Sequence, residues 1–507
     1  MNKAQNPANR KNKRVIRRRA AWATLAVLFI AWGGPGANAY WQSLSNSNFG
    51  AAKADTVPQG STPAVSLNGT SATVSWAAVA TPRGNAVTGY TVARYSSSTG
   101  GTKVAAGGGC AGTVTTLRCT EQNVPDGTWY YAVTPVISLW TGTESTRGAG
   151  VLVDTTAPTV SVASISPTPN SAGYNNSSPV TVNLSAVDNP GGSGVASIKY
   201  ALDGGSTVTV NAATAAVSVK GDGTHTLSYF ATDVAGNSSS PQIQTIKIDT
   251  IAPSTPTVSV PSYVNSTNKA NIPVVGTAEA FASVTVTASD AGSAHTSTQT
   301  VTASGTGAWN TSGFDLSGLS DGTVTYSVVA RDAAGNASPA ANATSTKDTV
   351  APTVTSITMA NGKSSGVADK GDTLTIVYST DMAANTLCSS WSNTTASQTA
   401  TGTVSISAND NILTVTSGSC TAPMIGSVAL NGGYNSSASQ ARTFAATITW
   451  TKATGTLVIA LGDNGANGTR GSNVSASSPV YSPAAGAADI AGNPLAGTFT
   501  AATASGF

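Results

Sequence analysis

"DGTHTLSYFATDVAGN", residues 222–237, and "DGTVTYSVVARDAAGN", residues 321–336, follow one plan. Each opens on Asp-Gly-Thr and closes on Asp-x-Ala-Gly-Asn, the two Asp residues standing 11 positions apart in both copies. The residues between, "HTLSYFAT" and "VTYSVVAR", are rich in β-branched and aromatic side chains, the composition of a half-buried strand. Asp, Gly and Asn at the two ends favour turns, through local side-chain hydrogen bonds and tolerance of positive φ. The stretch therefore reads as turn, strand, turn, and "ADIAGN" at 488–493 repeats its closing half.

A second motif sets the period. Asp-Thr-x-Ala-Pro occurs at 154–158, 249–253 and 348–352, at spacings of 95 and 99 residues. Proline fixes φ and has no N–H to give a ladder, so it halts a strand and stiffens the step to the next module. Units of about 100 residues follow. Composition agrees: only 9% of residues are charged, and Glu occurs three times. Long amphipathic helices with charged outer faces cannot be written with so little charge, which excludes an α/β enzyme body. The expected fold class is all-β, several small β domains in tandem.

The formal charge of +3 misleads, because eight of the 25 basic residues lie in the first 39 positions. Residues 40–507 carry 17 basic and 22 acidic residues, with no clustered Lys/Arg, so no nucleic-acid partner is expected. The basic N-terminus, the apolar run Ala20 to Trp32 and the small residues Ala37 and Ala39 read as an export signal at 1–39. The run is shorter than the roughly 20 residues that span a bilayer, so membrane contact is expected only through this signal if it stays uncleaved. "RRRAAW" is a weak twin-arginine signal. The protein is expected to be secreted or held at the cell surface.

Four cysteines in an exported chain are expected to pair, and neighbours pair most readily: Cys110 with Cys119, and Cys388 with Cys420. Loop entropy assigns these about 2.7 and about 3.7 kcal/mol. No C-x-x-C points to redox chemistry.

The domain boundaries expected from these signals are a linker at 40–58 and sandwiches at 59–153, 154–248, 249–347 and 348–507. Trp76 in "ATVSW", Tyr90 in "GYTVARY" and "VPDGTWYYAVTPV" (124–136) make the first sandwich resemble a fibronectin type III domain. The second, with "SGVASIKYALDGG", resembles Ig-like repeats of bacterial surface proteins, and the third, with "GAWNTSGFDLSGLSDGTVTYSVVARDAAGNAS", resembles those of large bacterial adhesins. In the fourth, "GDTLTIVYSTDM" (371–382) and a terminal "ADIAGNPLAGTFT" are similar to the Ig-like domain of S-layer and other secreted bacterial proteins. An insertion at about 385–480, holding Cys388, Trp391, Cys420 and Trp450, departs from that pattern. Together these resemblances imply an all-β chain of tandem immunoglobulin-like and fibronectin type III β-sandwiches in an elongated string.

Few residues invite catalysis. His225 and His295 lie in different units with no Cys or Glu at ligand spacing. The G-x-S-x-G at Gly362 to Gly366 has no His downstream, as the hydrolase order requires. "GKS" at Gly362 to Ser364 follows Ile357 where a P-loop needs Gly. No enzyme is expected; a hydrolase of unfamiliar type would need two carboxylates about 5 to 10 Å apart in a cleft.

The acids cluster instead by topology. In an Ig-type sandwich the B–C and F–G loops lie where the chain comes in and the E–F loop where it leaves, so each joint collects acids from both neighbours. The first joint would gather Asp126, Asp154, Asp188, Asp233 and Asn237; the second Asp222, Asp249, Glu279, Asp332 and Asn336; the third Asp321, Asp348, Asp381, Asp489 and Asn493. Two readings stand. Calcium, which takes six to eight oxygens, would stiffen the joints, as the resemblance to adhesin arrays implies; or these residues serve turn geometry alone. No EF-hand pattern is present. Trp140, Trp391 and Trp450 are either sugar-stacking faces or core.

The expected function is non-catalytic: an extracellular spacer, adhesin or surface-layer component, with a cell-surface protein or glycan as partner. The alternative is a secreted glycan-binding protein or an accessory module of polysaccharide degradation.

Overall fold

The computed structural model describes residues 39–42, 53–420, 425–465 and 468–507. The expected export signal lies outside the described residues except for Ala39. Ala39–Gln42, from the last residue of the expected signal into the segment expected as a linker, pairs antiparallel with Lys53–Thr56. Strands dominate; among the described residues the helical elements are one turn at Ala384–Leu387 and three 3-10 turns. None is long and apolar enough to cross a membrane. The fold is all-β, in tandem sandwiches.

Two compact units are distinguished: Met1–Thr168 with Pro179–Lys247, and Pro169–Ser178 with Ile248–Phe507. In the first unit, Ala64–Asn68, Ser71–Ser75 and Arg118–Glu121 form one sheet. The facing sheet runs Val151–Val153, Gly127–Ile137, Gly89–Tyr95, Val104–Ala105. Alternation explains the packing: along Ser71–Ser75 the even residues Ala72 and Val74 are wholly buried, as the two-residue period of a strand dictates. Trp76 meets Tyr90 edge-on at 5.4 Å between ring centroids. The Cys110–Cys119 disulfide is formed as expected. The buried Glu121 accepts from the Tyr131 hydroxyl (2.7 Å), the Gly107 N–H (2.7 Å) and Arg94, so its charge is paired rather than stranded.

The second sandwich packs Thr159–Ser166, Val180–Val187 and Thr214–Val219 against a sheet in the order Gln242–Ile248, Gly223–Asp233, Val195–Leu202, Val208–Val210. The stretch 222–237 thus holds a central strand, Gly223–Asp233.

In the second unit, Ala341–Lys347, Gly322–Arg331, Ser283–Ser289 and Thr296–Thr302 are neighbours in one sheet. The facing layer pairs Val275–Thr277 with Ala308–Asn310. Val284, Val286 and Ala288 are fully buried while the intervening Ser and Thr face out, a burial worth about 1.5–3 kcal/mol for each valine.

The last domain is a single nine-stranded sheet. Residues 385–480 do not stand apart from it: Ser397–Ile406, Arg442–Thr451 and Thr456–Asn464 are its middle strands. The sheet curls until its ends approach, and the Met359 N–H donates to Ser505 Oγ at 2.9 Å. Trp450 is wholly buried, 6.0 Å from the Tyr378 ring, and Trp391 joins the same core. Cys388 and Cys420 are bonded as expected.

Candidate functional site

The Asp-x-Ala-Gly-Asn motif builds the same hairpin tip three times. The Asp N–H donates to the Asn carbonyl at 3.0 Å for Asp233, 3.2 Å for Asp332 and 3.0 Å for Asp489. Its glycine has φ of 96° at Gly236, 95° at Gly335 and 89° at Gly492, a conformation side-chain-bearing residues rarely adopt. One carboxylate oxygen accepts the Asn N–H (2.7 Å at Asp233, 2.9 Å at Asp332, 2.8 Å at Asp489). The other accepts the Asn amide (2.7, 2.8 and 3.0 Å).

That amide then reaches the preceding linker. Asn237 Nδ2 donates to the Asp154 carbonyl at 3.0 Å, Asn336 Nδ2 to the Asp249 carbonyl at 2.8 Å, and Asn493 Nδ2 to the Asp348 carbonyl at 2.9 Å. Each Asp-Thr-x-Ala-Pro linker is therefore fastened by the hairpin tip of the domain that follows it.

At the first and third linkers the Asp-Gly-Thr turn of the preceding domain adds a second fastening. Asp126 Oδ1 accepts the Thr155 N–H at 3.1 Å and the Thr155 hydroxyl at 2.8 Å. Asp321 Oδ2 accepts the Thr349 N–H at 3.0 Å and its hydroxyl at 2.9 Å. Lys347 Nζ lies 3.2 Å from Asp321. Burial works against the Asp321 carboxylate, and Thr349 with Lys347 outweighs it, holding the carboxyl below its ordinary value. The linker Asp closes its own turn: Asp154, Asp249 and Asp348 each accept the N–H two residues on, at 3.1, 3.1 and 3.0 Å. The turn reading of these acids thus has a full geometric account at the linkers.

The first joint adds something. Asp154, Asp188 and Asp233 bring one carboxylate oxygen each within 4.8 Å of one another, and Asp154 and Asp233 are buried. Backbone donors hold them there: Ser193 N–H on Asp154 Oδ2 (2.7 Å) and Gly194 N–H on Asp188 Oδ2 (2.6 Å). The Ser193 N–H, ahead of the opposing burial, keeps the Asp154 carboxyl below its ordinary value. Beside them, the buried Asn189 Oδ1 has no hydrogen-bond partner among the described residues. A Cβ on Gly192 would sit 2.5 Å from that oxygen and 2.7 Å from Asp188 Oδ2, so glycine leaves the space they share. Three carboxylates and an orphaned amide oxygen are a donor set that suits a hard divalent cation. Asp126 is spent on Thr155 and Asn237 on the clasp.

Among the described residues the other joints assemble no such group. Glu279 is exposed, as is Asp222. Asp381 is paired with Lys452 at 3.2 Å, and both Asp489 oxygens are taken by Asn493. Trp391 and Trp450, buried in the core, present no face to a sugar; Trp140, half-buried beside the exposed Leu139, lies at a hairpin tip. His225 pairs with Asp203 at 2.8 Å and His295 with Asp290 at 2.7 Å. The clasp role of the three Asn residues was missed in the sequence, though the invariant final Asn of the motif, unneeded by a Gly turn alone, is its signal.

No family model matches the chain, and no curated protein matches it. Solved structures similar to it include a tetra-tandem repeat from the extending region of a large adhesion protein: 17% identity, 80% of this chain, 99% of that one, TM-score 0.25. A Ca2+-stabilized adhesin with which an Antarctic bacterium binds ice gives 18%, 78%, 93% and 0.27. The chicken CNTN1 FN1–FN3 domains give 14%, 58%, 100% and 0.25. At these identities and TM-scores nothing about ligand or activity follows, and the multi-domain immunoglobulin-like and fibronectin type III architecture rests on the strands and registers described above.

Proposed function

We propose that the chain is a non-catalytic extracellular spacer, adhesin or surface-layer component, exported by its N-terminal signal and working on a cell-surface protein or glycan. The observation that carries the reading is the recurrent clasp, in which residues conspicuous enough to resemble a site are consumed in fastening linkers. A chain whose purpose is to hold domains in fixed succession needs such joints; a freely jointed one does not. The test is pulsed-EPR distance measurement between spin labels on exposed positions of the first and second sandwiches. A narrow distribution that broadens in the Asp126→Ala, Asn237→Ala double variant supports the reading; one equally broad in both overturns it.

Calcium at the first joint is a second reading, favoured by the Asp154, Asp188, Asp233 triad with its orphaned Asn189 oxygen. Bound there, calcium would neutralise three converging carboxylates and lock the linker to the second sandwich. A melting curve of calcium-free protein that rises on adding calcium, and fails to rise in Asp188→Asn, supports it. No rise at millimolar calcium removes it.

A further inference from the structure

The last domain has five basic residues, and four of them, Lys363, Lys370, Arg442 and Arg470, line one pocket of about 370 Å³. That size falls within the roughly 300–1,000 Å³ of small-molecule sites. The pocket's carboxylates, Asp369 and Asp463, are matched by Arg470 at 3.5 Å and Lys370 at 2.9 Å. Lys363 and Arg442 are left in excess. Arg442 is 2% exposed, yet among the described residues no carboxylate oxygen lies within 4.0 Å of it. Its guanidinium donates instead to the Tyr434 and Ala368 carbonyls, both at 3.0 Å, and lies 4.8 Å from the Phe444 ring centroid. A buried cation without a partner anion is costly, and the ordinary remedy is an anion brought to it. Asp369 and Asp372 act on Arg442 only through space, from beyond ion-pair distance.

We propose that this pocket binds the carboxylate-bearing sugar residue of an acidic polysaccharide. The planar guanidinium and the Lys363 ammonium suit a carboxylate. The rest of the lining suits a hydroxylated ring better than a bare oxyanion: the exposed Asp463 can accept from a sugar hydroxyl, and Ser364 and Asn464 stand alongside. An inorganic phosphate or sulfate dianion brings about twice the negative charge of one uronate to the same two carboxylates and has no ring to fill the rest of the lining. The inference supplies a contact chemistry for the spacer role proposed above and does not depend on the joints; its failure leaves them untouched.

The experiment is calorimetric titration of the full chain with a galacturonic acid trisaccharide, with its methyl ester, and with inorganic sulfate. The acid trisaccharide is expected to bind, and the ester at least about tenfold more weakly, the loss of one charged hydrogen bond. The double variant Lys363→Gln, Arg470→Gln, both sites exposed, should weaken the acid about tenfold or more and keep the wild-type melting profile. Arg118→Gln, on an exposed residue of the first sandwich, should change nothing. The proposal is overturned by no binding, by equal binding of acid and ester, by an unaffected double variant, or by sulfate binding as tightly as the acid trisaccharide.

Discussion

Replacing Asn493 with alanine tests the clasp where it is most deeply set. Asn493 is wholly buried, and its side chain donates to the Asp348 carbonyl (2.9 Å) and Asp489 Oδ2 (3.0 Å) while accepting the Ser266 N–H (2.8 Å). Two of these bonds are neutral, worth about 1 kcal/mol each, and the one to the Asp489 carboxylate is worth about 1.5–3 kcal/mol. Asp489 is 2% exposed, so water cannot readily replace the lost donor there, whereas it can at the less buried Asp348. A loss of about 3 kcal/mol follows, and for a domain of this size that lowers the midpoint of the last domain's transition by about 6–12 °C. Differential scanning calorimetry of the full chain measures it, with the transition assigned by fluorescence of the buried Trp391 and Trp450. Asn342→Ala, at an exposed strand position, is the control and should stay within about 0.5 kcal/mol. If Asn493→Ala falls no further than the control, the amide does not fasten the linker and the account of the joints fails.

Two further outcomes are expected. Cys388→Ser with Cys420→Ser should destabilise the last domain by about 3.7 kcal/mol, against about 2.7 kcal/mol for the Cys110 and Cys119 pair in the first, read by urea titration under oxidising conditions. His225 is raised above its ordinary pKa chiefly by its hydrogen bond to Asp203, so its contribution is fully present below about pH 6.5 and lost as pH rises through the raised value. Asp203, lowered chiefly by the same bond, contributes above its unfolded pKa and loses that below. Melting of the second sandwich from pH 5 to 8 should therefore decline in the wild type and stay flat in His225→Gln; a flat wild-type profile would refute the pairing.

What could be read from the chain was what is local. Asp222-Gly-Thr and Asp233-x-Ala-Gly-Asn announce turns because Asp, Gly and Asn carry their turn preferences with them, and Cys pairs close in sequence needed no tertiary knowledge. The fastening of Asn237 to the Asp154 carbonyl spans 83 positions and depends on how loops converge, which no local pattern encodes. The three joints look alike in sequence, yet among the described residues only the first gathers its acids: Asp188 directly follows the strand Val180–Val187, whereas Lys452 pairs with Asp381 at the third. Residues 397–406 and 442–451 alternate inward and outward over ten positions each, a signal of long strands at the centre of the sheet. The cationic pocket was invisible because Lys363, Lys370, Arg442 and Arg470 come from separate segments.

The two-sided fastening has a consequence for how such a gene can change. At the first and third linkers the two anchors are the Asp-Gly-Thr of one domain and the Asp-x-Ala-Gly-Asn of the next, so duplicating a stretch from mid-domain to the matching mid-domain point copies both anchors with the linker between them. Lengthening or shortening the array by whole repeats then keeps each pair of anchors together, whereas a cut at the linker itself would orphan one partner on each side.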